Sequence, residues 1–279
     1  MMPRVSIVTP SLNQGRFLSD ALESVRRQDY ADVEHLVLDG NSTDDTVELL
    51  KSLDQKPEWK HVRWRSEADG GQSDALNQGF KLSSGDIVAW LNSDDRYRPG
   101  CFRHVASVFA ENPNVDIVYG DLAIIDEAGT VQRVRREIDF DRFILLYHRV
   151  LYIPTPSTFF RRRVFEDGNQ LRPDLHYAMD YEFFLRLANA GYRMKHTSRV
   201  LADFRVHPAS KSCAMERLQA NEKRQIMSSV SPISSAIQSL YLRRVAFTGL
   251  ELMAGMLRRS RKLLRGSYFF QSRPESLGE

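Results

Sequence analysis

The sequence predicts an α/β protein whose sheet is mostly parallel, and three observations support this prediction. Short apolar runs rich in β-branched residues alternate with amphipathic stretches of roughly 10–15 residues in the first part of the chain. This alternation is typical of βαβ units, in which a helix connects two parallel strands. Polar and acidic residues follow several of these strands directly, and a parallel sheet brings such loops to one edge.

The elements of the first half follow from their apolar periodicity. Phe17–Arg27 is a predicted helix because Leu18, Leu22 and Val25 recur on one face. Thr43–Leu53 is a second predicted helix with acids in its first turn, which suits the helix dipole. The other predicted elements are the strands Val5–Thr9, Val33–Leu38, Val62–Ser66, Ile87–Leu91 and Val115–Tyr119 and the helices Ser73–Leu82 and Cys101–Ala110.

The regularity decreases after Gly120, where a hairpin is predicted around residues 127–129. The α/β body is expected to close near Lys211, and we divide the chain into a body at residues 1–211 and an extension at residues 212–279. The predicted elements of this half are the hairpin strands Leu122–Ile125 and Thr130–Val134, the helices Phe140–Leu151 and Tyr181–Ala190, and the strands Ser157–Arg161 and Val200–Val206.

Composition indicates an ordinary globular protein, with 42% hydrophobic residues, 27% charged residues and a net charge of +3. The only cysteines are Cys101 and Cys213, which form neither a disulfide framework nor a zinc pattern, so a reducing cytosol is expected. The N-terminal residues lack the apolar stretch of a signal peptide, and no segment has the length of a membrane span.

The extension at residues 212–279 is basic, with 11 lysines and arginines against five acids, whereas the body is slightly acidic. This balance argues against nucleic acid as the ligand of the body. Residues 235–265 are predicted to form a long helix whose apolar part, Val245–Leu257, is too short to span a bilayer. It can lie at an anionic membrane surface, or it can pack on the body or on a second subunit. Residues 267–279 are expected to be disordered.

The apolar run that ends at Leu91 is followed by two adjacent acids, Asp94 and Asp95. Neighbouring carboxylates repel each other, and burial of either charge is costly unless it is compensated. A hard divalent cation such as Mg²⁺ or Mn²⁺ would compensate them, because it prefers oxygen ligands. The alternative is a helix cap or a surface turn, which also favours Ser and Asp.

Three other predicted strands also end in polar loops, at Pro10–Asn13, Asp39–Ser42 and Glu67–Gly71. With the loop at Asn92–Asp95, four such loops would converge on the carboxyl edge of a parallel sheet, where open α/β sheets bind ligands. Trp90, Tyr97, Tyr152 and Tyr177 are expected to pack in the core or at its rim rather than to line a ligand site.

Together these segments resemble family 2 glycosyltransferases of the GT-A fold, and within them the subgroup that acts in bacterial capsule and exopolysaccharide assembly. The resemblance covers about three quarters of the chain, from Val5 to about Ser212. Six short motifs carry it in order: Val5–Pro10 with Asn13, Asp39–Asp44, Asp74–Gly79, Asn92–Asp95, Met179–Tyr181 and Arg205–His207 with Ser210. It implies a Rossmann-like nucleotide-binding sheet flanked by helices, with a helical C-terminal tail.

The resemblance also implies roles for individual residues on the nucleotide side. Residues expected to contact the nucleotide are Pro10, Ser11, Asn13, Asp39, Asp69, Asn92 and Arg205. A carboxylate such as Asp39 can accept from a base N–H or a ribose hydroxyl, although a capping acid before the next helix is the alternative. Asp69 can equally be a turn acid before Gly70.

Asp94 occupies the position of the family's direct metal ligand, and His207 can join it on Mn²⁺ or Mg²⁺ or donate to the diphosphate. Asn92 stands where the family motif has an acid, so one charge is missing there. Asp95 is expected to support the metal, with a turn cap as the alternative. Arg205, Ser210 and Lys211 flank His207, and together they can hold a pyrophosphate.

Asp180 matches the position of the family's general base, with Glu182 as the second candidate and a helix N-cap as the alternative role. Where the family often has two acids, this chain has Met179 before Asp180. No covalent intermediate is required, which agrees with the lack of a nucleophile motif.

The resulting hypothesis is an inverting, metal-dependent glycosyltransferase that moves a sugar from a nucleoside diphosphate donor to a hydroxyl of a glycan or lipid-linked glycan. Its expected setting is cell-surface polysaccharide synthesis in the cytoplasm, with the basic tail as a candidate contact with the inner face of the membrane. One alternative is a non-catalytic protein with the same fold. Another is a sugar nucleotidyltransferase, but the loop after the first strand is not glycine-rich.

Overall fold

The computed structural model describes residues 2–208 and 216–265 of the 279-residue chain. Its strands are β1 (Val5–Ser11), β2 (Val33–Asp39), β3 (Val62–Ser66), β4 (Ile87–Trp90), β5 (Arg96–Tyr97), β6 (Ile117–Ile125), β7 (Val131–Arg135), β8 (Thr158–Arg161) and β9 (Met194–Arg205). Its helices are α1 (Gly15–Arg26), α2 (Thr46–Leu53), α3 (Gln72–Leu82), α4 (Cys101–Glu111), α5 (Arg142–His148), α6 (Arg163–Glu166), α7 (Met179–Asn189), α8 (Glu216–Val230), α9 (Pro232–Ala236) and α10 (Leu240–Leu264).

One curled sheet contains all nine of these strands, in the order β3-β2-β1-β4-β8-β6-β9-β5, and β7 pairs with the outer part of β6. The half formed by β3, β2, β1 and β4 is parallel, as the βαβ alternation predicts. Beyond β4 the directions mix, because β8 runs antiparallel to both β4 and β6 while β9 runs parallel to β6. The predicted α/β class is confirmed.

The parallel register brings the carboxyl ends of the first strands to one level. Ser11 at the end of β1 pairs with Asp39 at the end of β2, and Asp39 pairs in turn with Ser66 at the end of β3. β4 ends beside β1, where the Leu91 N–H donates to the Val8 carbonyl (3.0 Å). The loops after these four strands therefore open at the same edge of the sheet.

Aromatic side chains form the core on one face of the sheet. Trp90 is 1% exposed and stacks on Phe160, with ring centroids 5.7 Å apart. Tyr97 and Tyr152 are also buried, so the expectation that they pack in the core is confirmed. Helix α3 lies close to β1 because Gly79 has no side chain: a Cβ there would meet Val8 Cγ1 at 2.2 Å.

Two helices differ in extent from their predictions. The helix predicted over residues 140–151 is confined to α5, since Asp141 caps its first turn and Arg149, with φ +56°, ends it in the left-handed region. The helix predicted over residues 235–265 is α10, which starts after the cap residue Ser239. No helix was predicted over the residues of α8, although this helix contacts the site described below.

The C-terminal extension packs on the body through α10. Gly255 faces α5 so closely that a Cβ there would meet the His148 ring at 3.2 Å. The Glu137 side chain is fully buried and pairs with three cations, Arg135, Arg258 and Lys262. The inner face of α10 therefore packs on the body, which is one of the alternatives predicted for the tail. Residues 267–279, expected to be disordered, lie outside the described residues.

Candidate functional site

A cleft of about 810 Å³ lies at the carboxyl edge of the parallel strands. Its floor comes from the ends of β1 and β4, one wall from the end of β9, and the opposite wall from the start of α7 together with α8. Seven of the ten predicted site residues line it: Pro10, Ser11, Asp69, Asn92, Asp94, Asp180 and His207. The sheet edge therefore brings together groups that are far apart in the sequence.

Asp94 and His207 meet inside this cleft. His207 Nε2 lies 3.2 Å from Asp94 Oδ2, and the imidazole side chain is 1% exposed whereas the Asp94 side chain is 22% exposed. Phe17 packs against the imidazole, with ring centroids 4.8 Å apart, and the Arg16 guanidinium lies 3.3 Å from His207 Nδ1. The pair is thus held in place with the carboxylate partly open to the cleft.

Arg205 holds this arrangement from behind. Its guanidinium is 1% exposed and donates to the carbonyls of Asp94 (2.9 Å) and Glu127 (2.7 Å) and to Asp20 Oδ2 (2.7 Å). Its backbone N–H donates to Asp95 Oδ1 (3.0 Å). Arg205 thus joins the end of β9 to the loop after β4, and its contact with the diphosphate stays a prediction. Ser210 and Lys211, the other residues predicted to hold the diphosphate, lie outside the described residues.

Asp95 is the buried member of the two adjacent acids Asp94 and Asp95. It is 0% exposed, and besides the Arg205 N–H it accepts from Asn92 Nδ2 (3.2 Å). Burial, followed by the neighbouring charge of Asp94, raises the pKa of Asp95 well above its ordinary range. Asp95 therefore supports the turn that presents Asp94, while Asn92 reaches the cleft with its oxygen accepting from Gln72 (3.0 Å).

The donor atoms of this pair fit part of a divalent cation site. Two cis ligands of an octahedral Mg²⁺ at about 2.1 Å stand about 3 Å apart, which matches the observed Asp94–His207 separation. Within the described ranges no group of three or more His, Cys, Asp or Glu residues forms a metal centre. A cation here would take its remaining ligands from water and from substrate phosphate, as Mg²⁺ commonly does.

On the nucleotide side, Pro10 and Ser11 reach the cleft from the end of β1. Ser11 is 5% exposed, and its hydroxyl has no hydrogen-bond partner among the residues that the structure describes. A buried polar group without a partner is uncommon in native proteins and is satisfied when a ligand binds. Asp69 lies across from it on an exposed loop, where its carboxylate accepts from the Gly71 N–H (2.8 Å).

Asp39 and Asn13 stand beside the cleft with their side chains already engaged. The Asp39 carboxylate is 2% exposed and accepts from the Ser42 N–H, the Ser42 hydroxyl and the Ser66 hydroxyl. Asn13, with φ +53°, accepts from the Thr43 N–H (2.8 Å). Both connect neighbouring loops at the sheet edge, so nucleotide contact by either residue stays a prediction.

Asp180 lies on the opposite wall. Helix α7 begins at Met179, so Asp180 stands in its first turn and Ala178 occupies the cap position that the alternative reading gave to Asp180. Burial raises the pKa of Asp180, while Lys223, the Tyr181 N–H and the Thr155 hydroxyl act in the opposite direction. A raised pKa makes a carboxylate a better base. The other candidate base, Glu182, is paired with Arg186 (2.8 Å) and is absent from the cleft lining.

The residues that the sequence analysis missed come from α8. Glu222 accepts from the backbone N–H groups of His176 (3.4 Å), Tyr177 (3.0 Å) and Ala178 (2.8 Å), directly before α7. Gln219 Nε2 donates to the Tyr177 carbonyl (2.8 Å). Lys223 lines the cleft beside Asp180. In the sequence these residues are part of an ordinary charged helix, and no motif marks them.

Comparison with known proteins agrees with this architecture. The sequence profile of glycosyl transferase family 2 matches residues 6–168, more than half of the chain. The chain belongs to glycosyl transferase family 2, as its motifs indicate. Crystal structures with the same fold include TarS of S. aureus in complex with UDP, with a TM-score of 0.62 at 20% identity over 81% of this chain and 64% of that chain. Another is the mannosyltransferase PcManGT of Pyrobaculum calidifontis with GDP-Man and Mn²⁺, with a TM-score of 0.62 at 17% identity over 98% and 77%.

Curated relatives carry glycosyltransferase names. An uncharacterized glycosyltransferase of Mycobacterium tuberculosis is 33% identical over 188 residues, 67% of this chain and 69% of the relative. A PGL/p-HBAD biosynthesis glycosyltransferase of Mycobacterium bovis is 30% identical over 185 residues, 66% and 69%. An uncharacterized glycosyltransferase of Nostoc sp. is 29% identical over 170 residues, which make up 58% of this chain. The match spans about half (52%) of that protein.

Proposed function

We propose that this protein is an inverting, metal-dependent glycosyltransferase that moves a sugar from a nucleoside diphosphate donor to a hydroxyl of a glycan or lipid-linked glycan. The observation that carries the proposal is the single cleft lined by both the Asp94–His207 pair and Asp180. Membership of glycosyl transferase family 2 supports the same class of reaction.

In this proposal Asp180 is the general base. It takes the proton of the acceptor hydroxyl as that oxygen attacks the anomeric carbon and the bond from this carbon to the diphosphate oxygen breaks. Its raised pKa favours the proton transfer, and Lys223 nearby favours the ionised form that must be present beforehand. Attack from the face opposite the leaving group inverts the anomeric carbon, and no enzyme-bound intermediate forms.

The other wall is proposed to hold the leaving group. Asp94 and His207 would hold Mn²⁺ or Mg²⁺, which when bound supplies positive charge against the developing charge of the diphosphate. Ser11, Asn92 and Asp69 are proposed to bind the nucleoside. Holding donor and acceptor in line supplies much of the rate by orientation alone.

The donor base stays open, because TarS was crystallised with UDP and UDP-GlcNAc and PcManGT with GDP-Man. The name of the M. bovis relative supports a role in the assembly of a cell-surface glycan. None of the helices in residues 2–208 and 216–265 has the length and hydropathy needed to cross a membrane.

We also propose that the protein works in the cytoplasm at the inner face of the membrane. The outer face of α10 supports this, because apolar side chains that recur at helical spacing, including Leu252 (63% exposed), Met256 (63%) and Leu263 (53%), are open to solvent beside the exposed Arg244 and Arg259.

A donor screen tests the proposed reaction. Thermal shifts would be recorded with UDP, GDP, dTDP and CMP, each with Mn²⁺ and with EDTA. Stabilisation by one nucleotide that requires the metal is the expected result, followed by release of that nucleoside diphosphate when donor sugar and acceptor are supplied. Equal shifts with and without metal, or no shift with any nucleotide, would overturn the metal-dependent assignment.

A further inference from the structure

The wall of the cleft around Asp180 carries more positive than negative charge. Four cations line the cleft, Arg133, Arg135, Lys223 and Arg258, and they come from β7, α8 and α10. Lys223 interacts with both Asp180 and Arg135, and the fully buried Glu137 pairs with Arg135 and Arg258. Lys223 places this positive charge beside Asp180, the group that the proposed reaction assigns to the acceptor.

Strand alternation accounts for two of these cations. Residues i and i+2 of a strand share a face, so Arg133 and Arg135 of β7 point to the same side of the sheet. In the ladder Arg133 stands opposite Ile124 and Arg135 opposite Leu122, both of which line the cleft. The alternation therefore directs both guanidinium groups into the cleft.

The local ion pairs leave hydrogen-bonding capacity unused. Arg133 is exposed and has no side-chain partner among the described residues, whereas Arg135 binds Glu137 (2.6 Å) and the Leu151 carbonyl (2.7 Å). Arg258 binds Glu137 with its terminal nitrogen, but its Nε is buried and has no partner in the described part of the chain. Lys223 donates to Gln219 Oε1 (3.1 Å) and is half-buried.

Half-burial of Arg135, Lys223 and Arg258 strengthens their attraction for an anion. A desolvated cation interacts with a charge more strongly than one in bulk water, and an unmet buried N–H costs free energy until a ligand accepts from it. Burial lowers the pKa of Lys223, which agrees with a site short of negative charge, although Asp180 partly opposes the shift. Guanidinium forks and an ammonium are the groups that bind phosphate and carboxylate oxygens.

We propose that this wall is an anion subsite that binds a negatively charged group of the acceptor, through Arg133, Arg135, Lys223 and Arg258. The inference rests on the proposed glycosyl transfer and deepens it, because it makes the acceptor an acidic one: a sugar attached to a phosphate or diphosphate, or a sugar acid. Because Lys223 lies beside Asp180, the bound anion stands close to the hydroxyl that reacts.

Direct binding of matched amphiphiles tests the subsite. Octyl phosphate and octyl β-glucuronide, two anionic probes, would be titrated by calorimetry against octyl β-glucoside, a neutral probe of similar shape, below their micelle concentrations. The protein is first stripped of metal with EDTA and then exchanged into EDTA-free buffer of low salt, in which the attraction for anions is least screened. Both anionic probes are expected to bind more tightly than the glucoside, with an affinity that falls as salt is added. The tighter of the two identifies the anion as phosphate or carboxylate.

Variants locate the binding. Arg133→Gln and Lys223→Gln are each expected to weaken the anionic probes about three- to tenfold and to leave the glucoside unchanged, as charge-assisted hydrogen bonds imply. Lys223→Arg keeps the charge and should retain most of the affinity. Arg224→Gln is the matched control, since Arg224 is the exposed neighbour of Lys223 on α8. Arg133 is exposed on β7, so its variant keeps the test open even if the Lys223 variant fails to fold.

The proposal fails if the neutral probe binds as tightly as the anionic ones, or if both variants bind the anions like the wild type. Nucleotide thermal shifts with Mn²⁺, recorded on the same proteins, separate this failure from failure of the proposed function. Intact nucleotide binding with no anion preference would refute the subsite alone. Anion binding with no nucleotide binding would refute the donor assignment.

Discussion

At the residue scale, the burial of Asp180 in the cleft has opposite effects on stability and on chemistry. Burial raises its pKa above the ordinary 3.8, so the folded protein binds this proton more tightly than the unfolded chain. The free energy of unfolding therefore falls as pH rises through that folded pKa, and above it the buried charge remains as a cost. The same ionised form is the one that can accept the proton of the acceptor.

Asp180→Asn is expected to abolish transfer while raising the melting temperature by roughly 2–4 °C, because removal of a buried charge stabilises by about 1 kcal/mol. Nucleotide binding should be unchanged. In the wild type, kcat should fall at acid pH, with its midpoint above 3.8. Turnover assays and melting curves check this, and turnover retained by the variant would exclude Asp180 as the base.

Asp94→Asn preserves the shape of the side chain and removes its charge from the Asp94–His207 pair. It is expected to weaken metal-dependent nucleotide binding at least about tenfold, because the His207 imidazole is then the only ligand that the pair still offers to the cation. Glu67→Gln is the control, because Glu67 is an exposed acid at the same edge of the sheet. Calorimetry with Mn²⁺ measures both variants, and equal affinities would remove Asp94 from the metal site.

Side-chain partners were the least predictable part of the site. Strand ends place Asp39 and Arg205 correctly at the sheet edge, but Asp39 turns to Ser42 in the loop that follows it and to Ser66 at the end of β3. Arg205 reaches Asp20, 185 positions away in the sequence. Local pattern determines which strand a residue ends, whereas these hydrogen bonds depend on segments that meet only after folding.

At the scale of elements, apolar periodicity predicted the strands of the parallel half and the helices between them. It gave no reason to connect α8 with the catalytic wall, because the outward residues of α8 look like any solvated helix face. The contact depends on Glu222, whose carboxylate collects three N–H groups directly ahead of α7. These groups lead into the first turn of α7, where the partial positive charge of the helix start also favours a carboxylate.

Glu222→Ala should release the segment before α7 and misplace Asp180. We expect kcat to fall about tenfold, with unchanged nucleotide affinity and a stability loss of about 1–3 kcal/mol for the orphaned N–H groups. Glu222→Gln, which keeps an acceptor oxygen, should lie between this variant and the wild type. Gln225→Ala, at an exposed position of the same helix, is the control. Steady-state kinetics that show only a change in KM would contradict a positioning role.

At the scale of the whole molecule, Glu137 joins the C-terminal extension to the body. Burial alone would raise the pKa of Glu137, but Arg135, Arg258 and Lys262 outweigh it and hold the pKa below the ordinary 4.5. A depressed folded pKa adds stability that is present above pH 4.5 and is lost as the pH falls through the folded value. Acid should therefore loosen α10 from the body.

Glu137→Ala is expected to lower the free energy of unfolding by about 3–5 kcal/mol, because it leaves three cations close together without their partner. Asp139→Asn is the matched control, since Asp139 is 67% exposed and pairs with Arg265 at the surface, where an ion pair contributes about 0–1 kcal/mol. Urea titrations measure both. A small loss for Glu137→Ala would mean that other contacts hold α10 on the body, such as the ion pair of Arg261 with Asp141.

The three-to-one ratio of cations to acid around Glu137 also constrains how this protein can diverge. If Glu137 is lost, the three cations around its buried position repel one another. The substitution is therefore expected to be tolerated only after one of these cations has also been replaced. The acid and its partners should accordingly vary as a group among descendants. Because Arg135 and Arg258 also line the cleft, a change in the anionic substrate bound there is expected to be accompanied by a coordinated change around Glu137.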